Sequence, residues 1–312
     1  MFISRCTIQA LSGLIREQVQ ENTKTALFKA DSADLMVVFL QKWIKIDMEP
    51  TKRLEICLDF LDDFYECLLL DHYPLGPVGV LSKYDFQFSL LCGCYSLFVT
   101  LTSSPIQSVL DNNPSHLSRL TTIYAKFLPV ICVGISYLVK DFSVMNHETG
   151  SRRNLLIGLG VLHLVSSTLG EIIRGYKGNV APILETHQLF PMLLEALVKC
   201  ITLDEQLNTQ YSEILLSFFL VVSKHRQVSE LLAMSGIMTV FANNSSSLAL
   251  SQGTVLAYQG KQRSYIHKLW CLELAIVSNL VKNLGSSSAF MHQVIAFIRI
   301  YQAQITQGRF LI

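Results

Sequence analysis

Apolar residues recur along this chain at steps of three and four, the spacing that gathers side chains on one face of an α-helix. The clearest stretch runs from Tyr258 to Ile305. Trp270, Leu274, Val277, Val281 and Leu284 predict one helix face there, and Phe290, Val294, Phe297, Ile298, Tyr301 and Ile305 predict a second. Leu284, Gly285 and the serines to Ser288 read as the break between them. Two helices joined in this way form an αα-hairpin, the unit from which helical solenoids are stacked.

The same period runs through the rest of the chain, while strand alternation is nearly absent. A first amphipathic helix is expected over Ser4 to Gln20. A second opens at Asp31 and Ser32, good N-cap residues, with Leu35, Val38, Phe39, Trp43 and Ile46 on one face. Pro50 suits the first turn of a third, whose stripe is Leu54, Cys57, Leu58, Leu61, Tyr65 and Leu68. Tyr73 to Gly79 is rich in turn formers. Further helices are expected over Tyr84 to Leu101, Asp111 to Val139 with a kink or break at Pro129, and Leu155 to Ile173. The polar link Asn146 to Arg153 precedes the last of these. Pro182 to Ile201, Asp204 to Ser223 and Val228 to Met234 follow, and Leu231 to Phe241 has a helix, small-residue turn, helix rhythm around Gly236. Asn243 to Gly253 reads as a surface loop. No strict repeat of fixed period stands out. The expected fold is therefore all-α: residues 1–312 form a single continuous, irregular α-solenoid of stacked antiparallel helical hairpins, armadillo/HEAT-like in kind. The apolar finish from Arg309 to Ile312 suggests part of a longer chain.

Composition sharpens this picture. Half the residues are hydrophobic and only 16% are charged, against a usual share of roughly 25%. That deficit suits helices covered on two sides, or a membrane protein. Phe86 to Leu110 is 25 residues without a charge, enough to cross a hydrocarbon layer of about 30 Å. Asn154 to Gly170 is a shorter uncharged run of 17. The first run is interrupted by Gln87, Gln107 and Ser103-Ser104-Pro105, and flanking cations are too few to orient a span. Membrane association at most peripheral is expected. A net charge of +1 offers no basic footprint for nucleic acid. The eight cysteines, Cys6, Cys57, Cys67, Cys92, Cys94, Cys132, Cys200 and Cys271, lie mostly in apolar helical stretches and read as buried free thiols.

Candidate chemistry is sparse. Glu55, Asp59, Asp62 and Glu66 fall on one helix face with Asp63 at its margin. Their ordinary reading is a solvated face opposite the leucine stripe, and their sharper one is a docking surface for a basic partner segment. They are the protein-binding candidates. His267 and Cys271 are four apart, but zinc would need two further ligands. Cys92-Gly93-Cys94 lacks the spacing of a metal or redox pair. Gly158-Leu159-Gly160 lies in a helical run and follows no strand, so it does not make a dinucleotide loop. No G-x-S-x-G, P-loop or H-E-x-x-H occurs. The expectation is a protein that is not an enzyme, with no catalytic residue, cofactor, metal or small-molecule substrate.

The run Tyr265, Ile266, His267, Lys268, Leu269, Trp270, Cys271 to Leu280, then Asn283 to Gly285 and an aromatic-bearing helix, resembles the C-terminal half of the large inner-ring α-solenoid scaffold nucleoporins. That resemblance implies a structural role at the nuclear envelope: a component of the nuclear pore complex that binds other nucleoporins, or linear peptide segments of partners, and supports nucleocytoplasmic transport. The chain contains no Phe-Gly dipeptide, unlike the disordered barrier class of nucleoporins. It is much shorter than members of the scaffold family, and the matched residues read as core and not as contact. The other readings are a cytosolic armadillo/HEAT-like protein-interaction adaptor and a polytopic membrane protein.

Overall fold

The computed structural model describes residues 37, 38, 40–42, 48–70, 81–147, 152–199, 205–244, 247, 258–259, 262–263, 265–285 and 288–300. The helix expected over Ser4 to Gln20, the Tyr73 to Gly79 turn, and Leu35, Phe39, Trp43, Ile46, Tyr301 and Ile305 lie outside these. Contacts divide the chain into two compact units, Met1–Gly178 and Asn179–Ile312. Among the described residues both are all-α, apart from one short antiparallel ladder pairing Tyr258 with Arg263 and Gln259 with Gln262.

The first unit contains α1 (Pro50–Leu70), α2 (Leu81–Leu101), α3 (Ser104–Asp111), α4 (Pro114–His147) and α5 (Arg152–Gly175). Helix α5 packs against both α2 and α4, and α1 packs against α2, α3 and α4. Leu54, Cys57, Leu58, Leu61 and Leu68 are buried as their spacing requires, and Ile56, Phe60 and Phe64 widen the arc. That wider arc follows from α1 having neighbours on more than one side. Phe127 is the hub of an aromatic cluster, 5.3 Å from both Tyr65 and Phe98. At Gly93 of α2 a Cβ would lie 2.7 Å from Phe64 Cε2, so the absence of a side chain lets α1 and α2 approach closely.

The uncharged run Phe86 to Leu110 is two helices: α2 ends at Leu101, as the sequence predicts, and the short α3, which it does not predict, begins at Ser104. Ser103 at the N-cap position has extended backbone, and proline sits in the first turn of α3. From Leu90 to Leu101 the apolar side chains of α2 are largely buried inside the unit. Pro129 does not break α4. The Ala125 carbonyl that loses its helical donor there belongs to an exposed residue, where water can satisfy it. In the short helical stretch at 37–42, Val37 and Leu40 are buried while Val38 is 50% exposed, so Val38 lies off the buried face.

The second unit contains α6 (Ala181–Thr186), α7 (Leu189–Lys199), α8 (Glu205–Val222), α9 (Arg226–Met234), α10 (Ile237–Asn243), α11 (Tyr265–Leu284) and α12 (Ser288–Ile300). The expected single helix from Pro182 is two, parted at Gln188, whose φ of 47° interrupts the helical backbone. Gly236, at φ 83°, forms the turn between α9 and α10, in a left-handed conformation that glycine adopts without a Cβ penalty. Helix α11 is central: α8 and α9 pack against it, and α12 follows it.

That crowding rotates the buried faces of the C-terminal hairpin. On α11 the buried positions are Leu269, Trp270, Glu273, Ile276, Val277 and Leu280, while Leu274, Val281 and Leu284 are only partly covered. On α12 Phe290, Val294 and Phe297 are buried, but Ile298 is 42% exposed beside Ile295 on the outer face. The α11 stripe thus reaches the margin of the buried arc at Leu274, Val281 and Leu284, and on α12 only Ile298 lies outside it.

Candidate functional site

The acidic row lies on α1 facing α4, which carries His116, Arg119 and Lys126 at helical spacing on the opposing side. Arg119 Nη2 donates to Asp59 Oδ1 at 2.9 Å and to Asp62 Oδ2 at 2.7 Å. Its Nε also reaches Asp62 at 3.3 Å, so one guanidinium fork bridges two successive turns of α1. Lys126 Nζ approaches Asp62 at 3.6 Å and lies 5.6 Å from the Tyr65 ring centre. His116 Nε2 is 3.9 Å from Glu55, while its buried Nδ1 lacks a hydrogen-bond partner. Burial pulls the Arg119 guanidinium down, but its hydrogen bonds to Asp62 and Asp59 outweigh that and hold it above its ordinary value.

The inner pair, Asp59 and Asp62, is therefore engaged within the chain, and the row is a seam between two helices. Glu66 stands exposed at its far end. A basic segment would meet Glu66 and Glu55 at the ends of the row, and would compete with Arg119 for the middle. Sequence reasoning missed Arg119 and Lys126; their seven-residue separation on one amphipathic helix was the available signal.

In the second unit two polar features sit where the sequence suggested only packing. Asn279 Nδ2 donates to Ser223 Oγ at 3.0 Å, and Asn283 Nδ2 donates to Ser223 O and Ser229 Oγ, both at 2.9 Å. Ser229 Oγ closes the set by donating to Ser223 O at 2.8 Å. These bonds fasten the α8–α9 turn to α11. One turn from Trp270, the fully buried Glu273 accepts a hydrogen bond from Asn244 Nδ2, and its Oε2 has no partner. Asn244 Oδ1 accepts from Ser247 N at 2.6 Å, so the carboxyl anchors the start of the loop after α10. Burial pushes the Glu273 carboxyl up to about 8 despite the hydrogen bond from Asn244.

Groups of three or more His, Cys, Asp or Glu placed to hold a metal ion are absent among the described residues. Cys271 is partly buried in α11, and the His267 side chain lies outside the described set. Gly160 faces open space in the middle of α5. Cys57, Cys94 and Cys132 are buried, whereas Cys92 and Cys271 are partly covered. Burial pushes the thiols of Cys57 and Cys132 up to about 12, with Arg53 offsetting a little of this at Cys57. Neither is nucleophilic at neutral pH. Alkylation of the native chain at pH 8, mapped by peptide mass spectrometry, should leave Cys57 and Cys132 unmodified until denaturant is added. Cys92 and Cys271 should label first; equal rates at all four would contradict this burial.

Comparison of the chain with protein-family models, with curated proteins and with solved structures finds no match in any of the three.

Proposed function

We propose that this chain is a structural scaffold of the nuclear pore complex, an irregular α-solenoid of stacked helical hairpins that binds segments of other nucleoporins. The observation that supports this reading is the setting of α11, the helix that carries the sequence resemblance. It is held by α8 and α9, its Trp270 is only 1% exposed, and α12 packs on after it. A helix buried on several sides within an all-α unit is what a layered array requires of its interior members. Trp270 and Cys271 then act by packing, and recognition falls to exposed surfaces such as the ends of the acidic row on α1.

Imaging of the tagged full-length gene product tests the placement. A punctate nuclear rim is expected, and diffuse cytoplasmic signal would instead favour the armadillo/HEAT-like adaptor. Charge reversal of Glu55 and Glu66 should weaken recovery of partner nucleoporins, and unchanged recovery would remove that surface from the proposal. One observation favours a membrane reading. Among the described residues, Pro114–Lys140 of α4 is long and apolar enough to cross a bilayer, with a mean hydropathy of 1.7. However, 56% of its most apolar 18-residue window is buried inside the protein, as suits a core helix. Alkaline carbonate should therefore release the protein from membranes; retention in the pellet would support the spanning alternative.

A further inference from the structure

Of the eight prolines in the chain, only Pro105 follows a serine or threonine. Ser104-Pro105 is therefore the single dipeptide of the kind that proline-directed protein kinases modify. Both residues are exposed, at the corner where α2 gives way to α3. Ser103 before them has extended backbone, with φ −71° and ψ 146°. Beyond them Ile106 and Leu110 are buried, so the apolar face of α3 holds the helix while its first residues stay at the surface.

That first turn is lightly held. Pro105 has no N–H to donate. The Ser103 hydroxyl donates to the Thr100 carbonyl at 2.6 Å and does not cap α3. Gln107 N donates to Ser103 O at 3.0 Å, the first backbone bond of the helix. Opening one turn extends the dipeptide for a kinase cleft and leaves the core closed, a local event far cheaper than global unfolding. Across the corner, the half-exposed Arg174 guanidinium of α5 is shared between Glu171 on its own helix and the Thr102 hydroxyl, two residues before Ser104. A phosphate on Ser104 would bring about two negative charges to a helix terminus whose open N–H groups favour them. Its oxygens would also compete with the single Glu171 carboxylate for a guanidinium suited to bidentate pairing with phosphate.

We propose that Ser104 is a phosphorylation site for a proline-directed protein kinase. The phosphoserine, seated on the first turn of α3, draws Arg174 across to it and fastens the α2–α3 corner to the end of α5. The kinase transfers the γ-phosphoryl group of ATP to Ser104 Oγ. An Oγ–P bond forms, the bond from that phosphorus to the β-phosphate oxygen breaks, ADP leaves, and the hydroxyl proton passes to the kinase's own base. The inference is independent of the placement of this chain at the pore.

The test incubates the full chain with a recombinant mitogen-activated protein kinase and Mg-ATP, and maps phosphate by peptide mass spectrometry. A synthetic peptide of residues 98–111 is the unfolded comparison. Phosphate on Ser104 is expected in both. It should be absent from Ser104→Ala and form at least about 10-fold more slowly in Pro105→Ala, as when ring carbons leave an apolar pocket. Both substituted positions are exposed, and circular dichroism checks that the variants keep the fold. The phosphorylated chain should unfold about 2–4 °C higher than the unmodified one, as for one added charge interaction in a unit of this size. Arg174→Gln should remove most of that rise. No phosphate on Ser104 in either substrate, or phosphate on the peptide alone, overturns the proposal. So does incorporation at other residues with Ser104 untouched. A melting temperature that falls on phosphorylation, or a rise that survives Arg174→Gln in full, overturns the fastening of the corner.

Discussion

Gly175→Ala should destabilise the first unit by about 2 kcal/mol, the middle of the range for overpacking a filled core. A Cβ at Gly175 would lie 2.2 Å from the Tyr124 hydroxyl and 2.8 Å from its Cζ. The ring cannot step aside easily. Tyr124 is 1% exposed, stacked on Phe98 at 5.5 Å, with the edge of Tyr176 at 6.2 Å. Opposing the clash is the better helix propensity of alanine, worth at most about 1 kcal/mol at the end of α5. The clash should win, and thermal unfolding should shift down by roughly 4–8 °C for a unit of this size.

A second variant isolates the cause. The Tyr124 hydroxyl is buried without a hydrogen-bond partner, and burial, with Glu171 nearby, holds its pKa above the ordinary range. Tyr124→Phe alone removes an unsatisfied polar group, so it should be neutral or stabilising by about 1 kcal/mol. In the Gly175→Ala background it removes the atom at 2.2 Å and leaves the one at 2.8 Å, so recovery should be partial. Strictly additive effects in this double-mutant cycle would mean the two residues do not meet as described.

The second large effect concerns Glu273. With its carboxyl pushed up to about 8 from an ordinary 4.5, the folded chain holds the proton more tightly than the unfolded one. Below about pH 4.5 both states are protonated and the stabilisation is fully present. Between about 4.5 and 8 the unfolded state sheds its proton first, and stability falls by up to about 1.4 kcal/mol per pH unit. Above that range both states are ionised and the loss is complete. Glu273→Gln keeps an oxygen for Asn244 and cannot ionise, so it should flatten this dependence.

Urea unfolding at pH 5, 6, 7 and 8 would measure it, followed by Trp270 fluorescence in a Trp43→Phe background. The slopes carry the comparison, because the new amide introduces its own buried donor. Parallel pH dependences for the parent and Glu273→Gln would show that the carboxyl does not bear the cost assigned to it.

Glu273 also marks where sequence reading fails. It lies three residues after Trp270 and four before Val277, so the period places it at the edge of the apolar face, where a carboxylate is expected to turn out to water. It is buried because α11 has neighbours over a broad arc, and because Asn244, distant in sequence, supplies a hydrogen bond. A burial arc set by neighbouring helices is invisible to a single-helix pattern. The same cause leaves Ile298 exposed on α12. Residues 181–199 show a different limit: the apolar period from Pro182 runs on across Gln188, and Pro191, in the first turn of α7, was the local sign that a new helix begins there.

The sequence by itself determined the helical class, the start of α1 at Pro50, the end of α2 at Leu101, the turn at Gly236, and the apolar character of Cys57, Cys94 and Cys132. All of these follow from forces within one or two turns of chain: proline's fixed φ, glycine's freedom, and the three-and-four spacing of apolar side chains. Only the tertiary structure decided that Arg119 clasps the acidic row, that Asn279 and Asn283 bind the α8–α9 turn, and that Glu273 is interior. Each of those joins residues far apart in sequence. A hydrogen bond or ion pair between them depends on which helices lie side by side, and the period of a single helix carries no information about its neighbours.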